Sequence, residues 1–276
     1  MFLWEFVECP FCSEMKRICS LTDIQQRLLL LGSAFSDVCD RHGIPYVMLG
    51  GTMLGAVRHR GFIPWDDDMD FAVPREHYDR LIAFLERELP GEYKCLTYRN
   101  CQQIMYPFIK IEDTRTCIDD PRLNCPLEEK IGLNVDVFPL DVCEVNSFHV
   151  KWVLFLIKLQ TILFVESTED SKCRAFLRQL LQRLVPFGKN YLQRLIERIL
   201  CKNQKGEYVG NILGRWKQKE IFKSEVYRCS HEYKFGGLFL KGVEDYHTYL
   251  TQMYGDYMTL PPEDKRVAHV EDVYYR

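Results

Sequence analysis

The stretch "GFIPWDDDMDFAVP", residues 61–74, places four aspartates within five positions and then returns to apolar residues. Side chains two positions apart share one face of a strand, so Asp68 and Asp70 project together, and Asp66 joins them if the strand begins early. Such carboxylates repel one another unless basic side chains or cations neutralise them. Oxygen-only ligands suit Mg²⁺ or Mn²⁺, so the stretch predicts a divalent-cation site at the edge of a buried strand.

A second acidic stretch favours this interpretation over a solvated loop. Aspartate-rich turns are common, but the apolar run after Asp70 anchors these carboxylates to a strand. Further along, "NVDVFPLD" at 134–141 alternates polar and apolar residues and puts Asp136 on its polar face, with Asp141 a less favoured candidate. We expect Asp136 to complete the site.

A glycine turn precedes the aspartates. Gly50, Gly51 and Thr52 lie between a predicted strand, "IPYVML", and a predicted helix. Glycine lets a ligand approach the backbone closely, and the N–H groups at a helix N-terminus favour an anion. The turn therefore predicts a phosphate site. Arg58 follows within reach of such a ligand, or it neutralises the aspartates instead.

Composition excludes some classes of protein. With 276 residues, 47% of them hydrophobic, the chain can bury a large core. A net charge of −3 offers no concentrated basic surface, so nucleic acid is not an expected partner. The twelve cysteines suit reduced thiols in a cytosolic protein. Cys9 and Cys12 form a C-x-x-C pair without the sequence context of a redox or zinc site, and we interpret the pair as structural or incidental.

Periodicity along the chain predicts an α/β (α+β) protein with a mixed β-sheet and flanking helices. We divide it into an N-terminal extension (1–20), a core (21–147), a helical segment or subdomain (148–235), and a C-terminal helix and turn that pack back on the core (236–276).

The most apolar stretch begins at Phe148. Lys151 and Lys158 interrupt it, so a buried helix is preferred to a membrane span. Contact of the helical segment with anionic lipid through its basic residues is the alternative.

The longer stretch "YVMLGGTMLGAVRHRGFIPWDDDMDFAVPR", residues 46–75, resembles the signature of the LicD family, which groups with fukutin and fukutin-related protein. The resemblance extends to "FIKIEDTRTCI" at 108–118, "NVDVFPLD" at 134–141 and "YLTQMYGDYMTLPPEDKRVAH" at 249–269. It implies a nucleotidyltransferase-like mixed sheet with a helical C-terminal elaboration. It also implies that a phosphocholine-like or phospho-alditol group passes from a CDP-linked donor, such as CDP-choline, to a hydroxyl of a cell-surface glycan.

The resemblance also implies roles for individual residues. Asp68 and Asp70 would be metal ligands, and Asp66 would be a further ligand or a charge partner. Asp136 would be the third carboxylate, which either ligates metal or accepts the proton of the acceptor hydroxyl. Lys110 matches a basic family position and is a candidate contact for the nucleotide phosphates, although a lysine that snorkels from a strand edge is the alternative.

Two other functions stay open from the sequence. A nucleotidylyltransferase of the same fold would attach the nucleoside monophosphate and release diphosphate. A non-catalytic glycan or nucleotide binder would keep the scaffold and lack a metal carboxylate, whereas all four are present here. The expected partners are the CDP-linked donor and a glycan or lipid-linked glycan acceptor of teichoic-acid, lipopolysaccharide or capsule type. The expected location is cytoplasmic, with peripheral contact at the inner membrane face as an extension.

Overall fold

The computed structural model describes residues 16–18, 20–120, 125–144, 147–164, 178–180, 182–183, 188–202, 206–228, 230–268 and 272–276. The predictions for Cys9, Cys12 and most of the N-terminal extension lie outside these ranges.

Helices and strands alternate along most of the chain. The main helices are α1 (Leu21–Arg41), α2 (Gly50–His59), α3 (Arg75–Glu88), α4 (Phe148–Phe164), α5 (Lys189–Lys202), α6 (Ser224–Arg228) and α7 (Tyr246–Tyr254). The strands are β1 (Arg17–Ile18), β2 (Val47–Met48), β3 (Asp70–Pro74), β4 (Tyr93–Leu96), β5 (Ile109–Asp113), β6 (Thr116–Ile118), β7 (Asn134–Val142), β8 (Tyr208–Gly210), β9 (Ile221–Lys223), β10 (Ser230–Phe235), β11 (Leu238–Val243) and β12 (Val273–Tyr275).

A nine-stranded sheet forms the centre of the fold, with the order β10–β11–β2–β3–β7–β5–β4 and with β8 and β9 extending from β7. Strand β2 is parallel to β11, and β3 is parallel to β7. The β2–β3 and β5–β7 pairs are antiparallel, so the sheet is mixed. A separate three-stranded sheet has the order β1–β12–β6. This architecture confirms the predicted fold class.

Helix α1 packs on the sheet through the face that its periodicity predicts. Leu28, Leu31, Phe35 and Val38 recur every three or four residues and are fully buried. The ring of Phe35 lies 4.6 Å from the ring of Phe71 in β3. This contact joins the helix to the strand that carries the aspartates.

The N-terminus of α1 is capped by a different residue from the one that the sequence suggests. Thr22 and Gln25 have the spacing of a capping box, but Ser20 is the N-cap, and its Oγ accepts a hydrogen bond from the Asp23 N–H at 3.4 Å. Gln25 Nε2 instead donates to the carbonyl oxygen of Asp66 at 2.8 Å. Helix α1 therefore also holds the aspartate loop.

Strands lie within both of the segments that the sequence marks as mainly helical. Strands β8, β9 and β10 fall within 148–235, and β11 falls within 236–276. Strands β8 and β9 have three residues each, which is too short for an alternating pattern to be recognised. Strand β11 pairs with both β10 and β2, so the C-terminal part of the chain completes the central sheet.

Helix α4 packs against α5 and against the segment that leads into β5. The buried Gln160 donates through Nε2 to the carbonyl oxygen of Met105, and Thr161 Oγ1 shares a hydrogen bond of 3.0 Å with Tyr106 Oη. Neither α4 nor any other helix in the described ranges is long and apolar enough to cross a membrane.

Candidate active site

Three neighbouring strands bring two carboxylates and a lysine into one row. Asp70, the first residue of β3, lies opposite Asp136 in the parallel β3–β7 pair. Lys110 of β5 lies opposite Asp136 from the other side. Lys110 Nζ donates to Asp136 Oδ1 at 2.5 Å and to Asn134 Oδ1 at 2.9 Å. The structure thus brings together three site residues that are far apart in the sequence.

The loop before β3 adds further negative charge. Asp66 is buried and Asp68 is exposed. Burial raises the pKa of Asp66 to about 8, and the charges of Asp68 and Asp67 add to that shift. Burial also raises the pKa of Asp70 well above its usual range, with the charges of Asp68 and Asp136 contributing. Each carboxylate disfavours the ionised form of the others, so the cluster favours the binding of a positive charge.

The glycine turn lies directly against the carboxylates. Thr52 Oγ1 accepts a hydrogen bond of 2.8 Å from the Asp70 N–H, which ties the start of α2 to the start of β3. A Cβ atom on Gly51 would lie 2.8 Å from Asp66 Oδ2. Gly50 has a φ of 50°, and a Cβ atom there would lie 3.5 Å from Asp70 Oδ2. The two glycines therefore leave room for the aspartate side chains at the helix N-terminus.

The C-terminal helix closes the turn from the opposite side. The Gly50 N–H donates to Tyr249 Oη at 2.9 Å. Tyr254 Oη lies 3.7 Å from the position that a Cβ atom on Gly50 would take. Because the first amide of α2 is bonded to Tyr249, an anion at this helix end would meet the amides that follow it.

Arg58 is near the site and contacts the same C-terminal region. Its Nη1 donates to the carbonyl oxygen of Tyr257 at 2.8 Å, and its Nε donates to His59 Nε2 at 2.9 Å. Burial lowers the pKa of Arg58 from its usual value, and the nearby Tyr254 opposes that shift.

A buried glutamate behind the site was missed by the sequence reasoning. Glu220 is 3% exposed, and burial raises its pKa to about 7. Its Oε2 accepts a hydrogen bond of 3.1 Å from Asn211 Nδ2. The charge of Glu220 adds to the raised pKa values of Asp70 and Tyr254. No local motif surrounds Glu220 in the sequence, and only the folded chain brings it near β3.

An exposed aromatic ring with basic neighbours lies beside Tyr254. The Trp216 ring is 6.2 Å from the Tyr254 ring, in an edge-to-face arrangement. Lys219 Nζ lies 5.0 Å and the Arg215 guanidinium 5.8 Å from the centre of the Trp216 ring. Lys217, the next residue, has a φ of 50°. This basic loop therefore neighbours Tyr254, whose hydroxyl lies close to the glycine turn.

The carboxylates fit a hard divalent cation in their chemistry. Their oxygens are the preferred ligands of Mg²⁺, and their mutual repulsion calls for a counter-charge. Within the described ranges, no three His, Cys, Asp or Glu side chains are spaced to hold a metal ion by themselves. Mg²⁺ usually takes one or two carboxylates together with phosphate oxygens and water, so a partial set of protein ligands is compatible with this ion.

Asp141 is placed elsewhere on the same strand. Arg75 Nε donates to Asp141 Oδ1 at 2.7 Å, and Arg75 Nη2 donates to Asp141 Oδ2 at 2.8 Å. Asp141 lies five residues beyond Asp136, about 16 Å along an extended strand. Its carboxylate is committed to a buried ion pair and is not part of the candidate site.

Comparison with known proteins gives consistent matches. Residues 43–186 match the family model for the LicD/FKTN/FKRP nucleotidyltransferase domain. The chain is 31% identical to the lipopolysaccharide cholinephosphotransferase LicD of Haemophilus influenzae over 271 residues, which cover 92% of this chain and 98% of that protein. It is also 35% identical to an uncharacterized protein of Rickettsia typhi over 116 residues, which cover 41% of this chain and 34% of that protein.

Proposed function

The chain belongs to the LicD/FKTN/FKRP nucleotidyltransferase-domain family, and from this premise we propose that it is a metal-dependent phosphotransferase. It moves phosphocholine, or a related phospho-alditol group, from a CDP-linked donor to a hydroxyl of a cell-surface glycan. The Haemophilus influenzae relative, named as a lipopolysaccharide cholinephosphotransferase, matches along almost its whole length. That extent of similarity supports the reaction as well as the fold.

One structural observation carries the proposal. Asp70 and Asp136 lie opposite each other on parallel strands, beside a lysine and next to a helix N-terminus. Transfer of a substituted phosphate depends on charge neutralisation and on alignment of the attacking and leaving oxygens. The row of carboxylates and the start of α2 supply groups for both tasks.

Individual residues divide this work. Asp68 and Asp70 would hold Mg²⁺ or Mn²⁺, with Asp66 as a charge partner, and the charge of the cation would neutralise the donor diphosphate. The amides after Gly50 hold a phosphate oxygen at the start of α2.

The proposed transfer needs no reactant other than the donor and the acceptor. The acceptor hydroxyl oxygen attacks the phosphorus that carries the choline, a new P–O bond forms, and the bond to CMP breaks with its electron pair leaving on CMP. Asp136 takes the hydroxyl proton on its second oxygen, because Lys110 occupies the first.

Lys110→Met should lower the transfer rate by about 10²–10³-fold, because it removes the positive charge that holds Asp136. Lys110→Arg keeps the charge and should retain more of the rate. Lys94→Met is the matched control, because Lys94 is exposed on the neighbouring strand β4. Steady-state rates and circular dichroism of the three variants test this role, and a Lys110→Met enzyme as fast as Lys94→Met would contradict it.

The first experiment on function is isothermal titration of CDP-choline into the purified protein with Mg²⁺ and then with EDTA. CDP-glycerol, CDP-ribitol and CMP serve as comparison ligands. We expect metal-dependent binding that favours one CDP conjugate over CMP, because the charge of the diphosphate needs the cation. Failure of every cytidine nucleotide to bind would contradict the proposal.

Product analysis separates the proposed reaction from nucleotidyl transfer. Mass spectrometry of an acceptor glycan should show the added mass of a phosphocholine or phospho-alditol group, with CMP released. A glycan that carries CMP would instead show that the chain is a nucleotidylyltransferase. Metal-dependent binding with no change in any acceptor would favour a non-catalytic binder.

A further inference from the structure

Helix α4 exposes a stripe of large apolar side chains. Phe148 is 76%, Trp152 43%, Phe155 52% and Ile162 42% exposed. Their spacing of four, three and seven residues places them along one face of the helix. A contiguous apolar face on a protein surface usually marks a site of interaction.

Packing of α4 against the part of the chain that the structure describes does not account for this face. The opposite side of α4 is the buried one, and its core residues are Val150, Val153, Leu156, Ile157 and Leu163. The helix is therefore apolar on two sides, whereas packing on the core needs only one apolar side.

The exposed aromatic rings of α4 are stacked, each nearly parallel to the next. The rings of Phe148 and Trp152 are 6.5 Å apart and tilted by 5°, and the rings of Trp152 and Phe155 are 5.2 Å apart and tilted by 18°. Tryptophan and other aromatic side chains are favoured where an apolar phase meets water. This arrangement suits a lipid–water boundary.

The charges on the helix point to the same kind of partner. Lys151 and Lys158 are exposed next to the aromatic stripe, and α4 contains no aspartate or glutamate. An exposed face with aromatic rings, lysines and no acidic residue is complementary to anionic lipid headgroups. A lysine stem also buries its methylene groups in the interface while its amine stays in water.

We propose that α4 lies flat on an anionic lipid bilayer through the face formed by Phe148, Lys151, Trp152, Phe155, Lys158 and Ile162, which we call the α4 face. The helix rests on the surface and does not cross it, in agreement with its length and composition. This proposal stands independently of the transfer reaction.

Contacts link helix α4 to the strand that carries Lys110. Thr161 of α4 shares a hydrogen bond with Tyr106. The ring of Tyr106 is stacked on the ring of Phe108, with 6.3 Å between the ring centres. Lys110 Nζ lies 5.5 Å from the ring of Phe108. A bilayer on α4 would therefore be joined through a short packed path to the strand that carries Lys110.

Sedimentation with vesicles tests the proposal. The full chain is mixed with phosphatidylcholine vesicles that contain or lack phosphatidylglycerol, at low and at high salt. We expect pelleting with the anionic vesicles, reduced by salt because surface charges are screened. Absence of pelleting at low salt would overturn the proposal.

Variants identify the surface that binds. Phe148→Ser/Trp152→Ser/Phe155→Ser should weaken vesicle affinity by about 100-fold or more, and Lys151→Glu/Lys158→Glu by about 30-fold or more. Phe239→Ser is the matched control, because Phe239 is 69% exposed on β11, away from α4, and it should bind like the wild type. Equal binding by all variants would overturn the assignment.

Further measurements separate lipid binding from misfolding and from self-association. The variants should have the melting temperature of the wild type, which shows that they are folded. They should also keep its metal-dependent binding of CDP-choline, so that a loss of vesicle binding is distinguished from a failure of the proposed function. Brominated lipid should quench the fluorescence of the wild type more than that of Trp152→Phe. Equal quenching of the two proteins would overturn the proposal. It would also be overturned if the wild type bound no vesicles and formed a dimer that the triple serine variant converted to a monomer, because the face would then be a dimer interface.

Discussion

Asp70→Asn is expected to abolish transfer and, at the same time, to stabilise the metal-free protein. Transfer should fall by about 10³-fold or more, because the variant loses a charge that the proposed cation and donor would need. Stability should rise by about 1 kcal/mol, because burial and the charges of Asp68 and Asp136 make the ionised Asp70 unfavourable. Asparagine has nearly the same shape, so the packing at Gly50 is kept.

Thermal unfolding in EDTA and in Mg²⁺ measures this effect. In EDTA the variant should melt about 2–4 °C above the wild type. Mg²⁺ should raise the melting temperature of the wild type more than that of the variant. Asp79→Asn is the control, since the Asp79 side chain is 83% exposed and should change neither rate nor stability. An active Asp70→Asn enzyme would remove Asp70 from the site.

Asp141→Ala is expected to cost about 3–5 kcal/mol of stability, the largest loss that we predict for a single substitution. Asp141 is fully buried and accepts two hydrogen bonds from Arg75. Its removal leaves the guanidinium without its counter-charge in the interior, and that group also lies 5.2 Å from the centre of the Tyr78 ring. Chemical denaturation at neutral pH measures the loss.

Two comparison variants separate this buried pair from surface charge effects. Asp79→Ala removes an exposed carboxylate 3.7 Å from Arg99 and should cost less than about 1 kcal/mol. Arg75→Met/Asp141→Leu removes both charges and should lose less than Asp141→Ala alone. At temperatures where it stays folded, Asp141→Ala should still bind the CDP conjugate with Mg²⁺, because the pair is remote from Asp136. An Asp141→Ala protein as stable as Asp79→Ala would contradict this account.

The parts of the site that the sequence predicts are those set by local geometry. Alternation in a strand predicts that Asp70 leads into a buried β3 and that Asp136 lies on the polar side of β7. The Gly-Gly-Thr turn at the start of α2 is also a local pattern, and the structure places it against the aspartates.

The parts of the site that the sequence does not predict depend on the pairing of strands that are far apart in the chain. The Lys110–Asp136 contact follows from the antiparallel register of β5 and β7, which no single-strand pattern determines. Glu220 reaches the site only because β8 and β9 extend the sheet from β7. Burial of Glu220 beside Tyr254 arises from the tertiary fold, so a lone glutamate in a polar stretch gives no signal of it.

The hydrogen bond between Gly50 and Tyr249 determines when the candidate site can form during synthesis of the chain. The glycine turn leaves the ribosome about 200 residues before the tyrosine that closes it, and β2 lacks its neighbour β11 until residues 238–243 have emerged. Until then β2 is an open sheet edge that can pair with other chains. A nascent chain therefore cannot close the glycine turn of the candidate site until its C-terminal part has emerged, and β2 gains its neighbour β11 at the same late stage.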